Sequence, residues 1–206
     1  MELNIFARKS TRVLRVLLVN YRKDWNERQL AREANVSHVL VHYICKKLNE
    51  MKMATKNQRN RIVLTDPLNL LRKWASYHRC DLVNEFLGYS AIEMEIDLFL
   101  GKLVDLDLEY SLSGLVAAWL LAPSLRPRDL HLYVSSEDIA AKIAEKIELN
   151  PMSRGGNVKF VLPYDEGVFY GTRVVLGAKV VSNVQLYVDL YNAPSRGETR
   201  HPRFWD

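Results

Sequence analysis

The sequence predicts an α+β fold in two parts, and three observations predict it. Residues 10–51 carry apolar side chains at helical spacing in three short stretches, followed by two brief strand-like runs. From about residue 90 onward, helical and strand periodicities alternate. Charge divides along the same line. Residues 1–79 hold 17 Lys and Arg against 6 Asp and Glu, a net +11; residues 80–206 hold 12 against 18, a net −6, giving the chain's +5. We read residues 1–78 and 79–206 as two domains, the first suited to a polyanion and the second not.

The first domain is built in order. Ser10 is placed to cap a helix running through Val13, Leu14, Leu17 and Leu18. Lys23-Asp24 ends that pattern, and Asn26 with Gln29 has the spacing of a capping box for a second helix, Glu27 to Ala34. Asn35 tolerates the left-handed turn that follows. Ser37 caps a third helix whose inner stripe is Leu40, Val41, Ile44, Leu48 and Met51. Two helices across so short a turn describe a helix-turn-helix. Lys52 to Thr55 and Arg61 to Thr65 then read as a hairpin around an acid-free loop, which is a wing. The first domain is thus predicted to be a winged helix-turn-helix.

Such a module needs cations for phosphates and hydrogen-bonding side chains for base edges. Arg28, Lys46, Lys47, Lys56, Arg59 and Arg61 are the phosphate candidates, with Asn57 in the same wing loop. Ser37, His38, His42 and Tyr43 stand near the start of the third helix, where bases would be read. Double-stranded DNA is the expected partner; a protein-interaction role for the module is the alternative. His38, His42 and Cys45 also fall at i, i+4 and i+7. They lack a fourth ligand and the glutamate of a His-Glu-x-x-His motif, so no metal or other cofactor is expected.

Asp66-Pro67 starts a further helix with Leu70, Leu71 and Trp74, and residues 78–90 are expected to be the joint. In the second domain, Ser90 and Glu93 suggest a capping box ahead of a helix with Ile92, Ile96, Phe99, Leu100 and Leu103. A short strand at 110–112 precedes an apolar helix from Ser113 to Leu121. Leu130, Leu132 and Val134 alternate as a strand, and Ile139, Ile143 and Ile147 mark a helix capped by Ser136. Val158 to Leu162 is a strand, and 173–181 is a hairpin turning at Gly177-Ala178. Ser182 and Gln185 open a last helix before an irregular tail that is expected to dock through Phe204 and Trp205. The Ser153 to Asn157 run precedes a strand, so it reads as a tight turn and not a phosphate loop.

Catalytic motifs are weak. Ser113-Gly114 followed by Asp129-Leu130-His131 is similar in order to the nucleotidyltransferase pattern, but His131 stands where a second carboxylate belongs. A degenerate scaffold of that kind, without enzyme activity, is the expectation. Two cysteines, no apolar run of membrane length and no signal pattern point to a reduced, cytoplasmic protein that does not enter a membrane.

Several stretches together carry a resemblance: Trp25 to Ala34, Val36-Ser37, Leu64 to Ala75, Tyr110 to Pro123, His131 to Val134, Arg154 to Asn157 and Ser182 to Gly197. In these, roughly from Val13 to Gly197, the chain resembles the AbiEi-like winged-helix regulators, the antitoxins of type IV toxin–antitoxin systems. The resemblance implies a repressor of its own promoter. It also implies that the C-terminal domain opposes a nucleotidyltransferase-type toxin. A palindromic operator would imply a homodimer.

Overall fold

The computed structural model describes residues 4–91, 95–104, 106–123, 126–153 and 155–193. The chain forms two compact units, one of residues 1–79 with 183–192 and the other of residues 80–182 with 193–206.

In the first unit, α1 (Ser10–Val19), α2 (Glu27–Glu33) and α3 (His38–Glu50) precede a hairpin of β1 (Ala54–Lys56) and β2 (Ile62–Leu64). Val13, Leu14, Leu17, Leu30, Val41, Ile44 and Leu48 close the core between the helices. Asn26 and Ser37 cap their helices as expected, accepting from the backbone N–H groups of Arg28 and Leu40. Asn35 takes a left-handed φ of 49° between α2 and α3. Ser10 differs: it lies inside α1, buried, and Lys9 holds the cap position without a side-chain bond. Gln29 also differs, because its Oε1 accepts from Arg61 Nη2 at 3.0 Å instead of turning back to Asn26. The hairpin pairs Ala54 with Leu64 and Lys56 with Ile62. Trp25 extends it through reciprocal backbone bonds with Ile62 at 2.9 and 2.8 Å.

Pro67 sits at the start of α4 (Pro67–Tyr77), and Asp66 caps it by accepting from Asn69 N–H at 3.1 Å. The unit is completed from far along the chain. The last helix, Asn183–Tyr191, expected in the C-terminal domain, packs against α4 and α1. The reason is a buried polar chain. Arg15, fully buried, donates from Nε to Gln185 Oε1 at 2.7 Å, and Gln185 Nε2 donates to Asp189 Oδ1 at 2.7 Å. Asp189 Oδ1 lies 3.4 Å from His78 Nε2, and the Arg15 guanidinium lies 5.0 Å from the Trp74 ring centroid. Both polar ends of the Gln185 side chain are thus engaged, one with Arg15 and the other with Asp189.

The second unit opens with α5 (Cys80–Val83) and carries a seven-stranded mixed sheet. Its strands are β3 (Glu85–Ser90), β4 (Tyr110–Ser113), β5 (Leu130–Val134), β6 (Asn150–Pro151), β7 (Val158–Leu162), β8 (Arg173–Val175) and β9 (Ala178–Val180). The sheet order is β6-β3-β7-β5-β4-β9-β8, with β5 parallel to β7, β4 parallel to β9 and the other pairs antiparallel. Helices α6 (Ile96–Val104), α7 (Gly114–Leu121) and α8 (Glu137–Lys146) contribute Phe99, Val116 and Ile143 to a core with Leu112, Leu132 and Phe160. We number the last helix, 183–191, α9. Of the Ser90–Glu93 box and its helix, Ile92 and Glu93 fall outside the described residues, as do Arg154, Phe204 and Trp205.

Residues 85–90, expected within the joint, form β3. Gly88 breaks their apolar pattern, and the glycine is needed: a Cβ there would meet the Gly155 carbonyl oxygen at 2.5 Å. Gly156, with φ +89°, has its α-carbon so close to β3 that a Cβ would lie 2.3 Å from the Tyr89 carbonyl oxygen. Asn157 fixes the same junction by accepting from Ala91 N–H at 2.9 Å. The turn before β7 is thus a backbone clamp on β3. The β8–β9 turn lies one residue earlier than expected, at Leu176 and Gly177, whose φ values of 49° and 85° are those of a two-residue hairpin turn. No described helix is long and apolar enough to cross a membrane.

Candidate nucleic-acid interface

All the sequence-predicted site residues lie in the first unit, on α2, α3 and the hairpin. Three cations stand out. Arg28 on α2, Lys46 on α3 and Arg59 in the hairpin loop are exposed, and their charged ends meet no acid among the described residues. Lys47, half-buried, lies 3.8 Å from Glu50. At the entry to α3 an open groove of about 950 Å³ is lined by Lys9, Arg28, Arg32, Ser37 and His38 among others. Lys9 and Arg32 add two exposed charges beside Arg28 that the sequence reading did not single out.

The other candidates, Tyr43 excepted, make bonds within the unit. Asn57 organises the hairpin loop: its Oδ1 accepts from the N–H groups of Arg59 and Arg61, each at 3.0 Å, and its Nδ2 donates to Asp24 at 3.0 Å. With Asn60 at φ 55°, this shapes the loop that presents Arg59. Arg61 ties the hairpin to the rest of the unit through Asp24 Oδ1 at 3.1 Å and Gln29. It works as a clamp, with much of its charge already answered.

Glu27 was missed by the sequence reading, and it organises the face. It opens α2, where the helix dipole favours a carboxylate. Its Oε1 pairs with Lys56 Nζ at 3.0 Å; its Oε2 lies 3.3 Å from His42 Nδ1 and 3.4 Å from His38 Nε2. Burial works to raise its carboxyl, but hydrogen bonds and charge from Lys56 and His42 outweigh it and hold the group below the usual carboxylate range. A surface pair of this kind contributes little stability. Its effect is positional: one carboxylate fixes three side chains from α3 and the hairpin.

Ser37 spends its hydroxyl on the helix cap. Tyr43 is 54% exposed, and Val39, one turn before it, is 62% exposed. Val39 was not a sequence candidate; an apolar side chain facing water next to basic residues is the signal that marks it. With Lys46, these form an outward strip that offers apolar contact, a phenol and a cation. Cys45 does not share that strip. It points inward, and burial pushes its thiol up to about 12, so it is no ligand in company with His38 and His42.

In the second unit, Ser113 ends β4 opposite His131 on β5. Gly114 follows with φ +61°, and a Cβ there would come within 2.9 Å of His131 Nδ1. The Ser-Gly junction therefore answers a packing need against His131. Asp129 is exposed just ahead of β5.

A family model described as a transcriptional regulator, the AbiEi antitoxin of type IV toxin–antitoxin systems, matches residues 61–201, well over half of the chain. The match begins at the hairpin's second strand, so it includes α4, α9 and the second unit's sheet while α1, α2 and α3 lie outside it. No curated protein and no solved structure matches the chain.

Proposed function

The chain belongs to the AbiEi antitoxin family of transcriptional regulators of type IV toxin–antitoxin systems, and from that premise we propose that its first unit is a winged helix-turn-helix that binds double-stranded DNA and represses the chain's own promoter. One observation carries this reading: Arg28, Lys46 and Arg59 present unanswered positive charge from α2, α3 and the hairpin loop, the three elements that such a module lays on a duplex. These cations grip phosphates, with Lys47 and the Lys9–Arg32 groove beside them. Val39, His42 and Tyr43 read base edges, Val39 by contact with a thymine methyl. Two copies bind a palindromic site. The second unit, acidic in sequence, faces a nucleotidyltransferase-type toxin and carries no catalysis of its own; its own strand order with Ser113, Asp129 and His131 is a degenerate version of the toxin's scaffold. The protein works in the cytoplasm.

Fluorescence anisotropy tests this reading, using the full chain with its upstream DNA and a scrambled duplex at two salt concentrations. Upstream DNA is bound more tightly, and the preference survives the higher salt. Arg59→Ala lowers affinity for both duplexes alike and makes the log–log salt slope shallower by about 0.9, one phosphate contact. That contact is a factor of about 3.5 in salt sensitivity between 50 and 200 mM. An unchanged slope removes the hairpin loop from the interface.

A second reading has its own support. Lys56, His38 and His42 are already engaged by Glu27, which suits a face that meets protein. On that reading the chain binds neither duplex, and a basic protein partner co-purifies through the acidic C-terminal region, captured by residues 90–206 alone.

A further inference from the structure

We propose that Glu27, His38 and His42 form a binding site for a divalent transition-metal ion of the zinc class on the exposed face of α3. His38 and His42 are four residues apart, so their side chains rise from the same face of the helix about 5–6 Å apart at Cβ. Both turn a ring nitrogen to one oxygen, Oε2 of Glu27, at 3.4 and 3.3 Å. Zinc binds imidazole nitrogen at about 2.0–2.1 Å and carboxylate oxygen at about 2.0–2.2 Å. Adjacent ligand atoms of a tetrahedron with such bonds lie about 3.3–3.5 Å apart. Two edges of the tetrahedron are therefore already at length. The third, between the two imidazoles, is open at more than 4.8 Å and closes by side-chain rotation of rings that are 51% and 58% exposed and not locked in a core.

The two carboxylate oxygens have separate work. Lys56 holds Oε1 at 3.0 Å, which orients the carboxylate and leaves Oε2 for the ion, as an outer-shell partner does. Its charge opposes the incoming cation, but the Lys56 side chain is 47% exposed and screened by water. Two imidazoles and one carboxylate form a donor set that zinc takes with a solvent molecule in the fourth position. From sequence no metal was expected here, since the i, i+4, i+7 pattern offered only Cys45 as a third member; that thiol is buried, and a carboxylate from the neighbouring helix stands beside the two histidines instead. The ion would occupy the side chains that the DNA reading assigns to base contact. Metal therefore lowers discrimination between duplexes, while Lys46 and Arg59 keep the phosphate grip. This consequence rests on the DNA-binding reading; the site itself does not.

The test is a zinc titration of the full chain against a chromophoric chelator, with circular dichroism of each variant. One zinc binds the wild type, and His42→Ala weakens it by at least about tenfold, the least that loss of an outer-shell partner costs. Glu27→Gln does the same, and Cys45→Ala leaves binding unchanged. Because His42 is exposed, His42→Ala keeps the fold, and its result stands even if Glu27→Gln disturbs the hairpin. No binding, or binding that His42→Ala leaves intact, overturns the site. Anisotropy with and without zinc, reversed by EDTA, reads the consequence: zinc bound at this site with undiminished duplex preference overturns the regulatory role. A chain that binds zinc and no DNA at all overturns the DNA reading while the site stands.

Discussion

Gln185→Ala is the most informative perturbation of the first unit. Gln185 is fully buried and stands between Arg15 and Asp189, donating to one and accepting from the other at 2.7 Å each. Both bonds involve groups that carry formal charge in the interior, and such bonds contribute about 1.5–3 kcal/mol each. Their joint loss amounts to about 3–6 kcal/mol before any cavity is counted. The unit comprises roughly 90 residues, and a domain of that size has about 4–13 kcal/mol of stability in total. Gln185→Ala thus removes from about a quarter of it to all of it. Urea unfolding followed by tryptophan fluorescence measures the effect, because Trp74 lies against the Arg15 guanidinium and changes environment with it. Gln185→Glu keeps the acceptor for Arg15 but sets a second carboxylate toward Asp189, so its midpoint falls between the two. A loss below about 1 kcal/mol for Gln185→Ala would mean that the buried chain behaves like a surface pair, and the argument that it anchors α9 fails.

Three other outcomes follow from the packing. A fragment of residues 1–79 lacks α9 and unfolds without a cooperative transition, whereas the same fragment joined by a flexible linker to 183–193 unfolds cooperatively; a sharp transition in the short fragment refutes the dependence. Gly156→Ala combines a left-handed backbone with a Cβ placed 2.3 Å from the Tyr89 carbonyl oxygen, and costs about 2–5 kcal/mol in a thermal or urea melt. Leu176→Asn goes the other way. Leu176 is 83% exposed at φ 49°, so asparagine relieves strain without losing packing, raising Tm by about 2–4 °C for about 1 kcal/mol; an unchanged Tm would show the turn to be unstrained.

What could be read in the sequence depended on how local the cause was. Caps at Asn26, Ser37 and Ser136 were legible because the donor and acceptor lie within three residues of one another. So were the strands at 130–134 and 158–162, whose burial follows their own alternation. β3 was not. Its pattern is broken by Gly88, and the reason for that glycine lies across the sheet, in the carbonyl of Gly155. α9 was read as a helix but given to the wrong unit, since the residue that holds it is Arg15, 170 positions away. In sequence Arg15 looks like one more surface charge in a basic start.

The same logic explains the site. Charge totals located the basic unit, because a sum over 79 residues survives ignorance of which cations are already paired. Which individual cations are paired could not be read that way. Arg61 and Lys56 look equivalent to Arg59 in sequence, yet Asp24 and Glu27 answer the first two, and only Arg59 projects from the loop unpaired among the described residues. Glu27 was invisible for a related reason: it counts as one of 6 acids against 17 bases, and its importance comes from the convergence of α2, α3 and the hairpin. The face is therefore set by a negative charge. Removing it with Glu27→Gln releases Lys56, His38 and His42 together, so on the DNA-binding reading the variant binds duplex DNA more tightly and with a salt slope steeper by about 0.9 as Lys56 gains a phosphate. If the slope does not change, Lys56 is too far from the duplex to matter, and Glu27 organises the fold of the hairpin and not its charge.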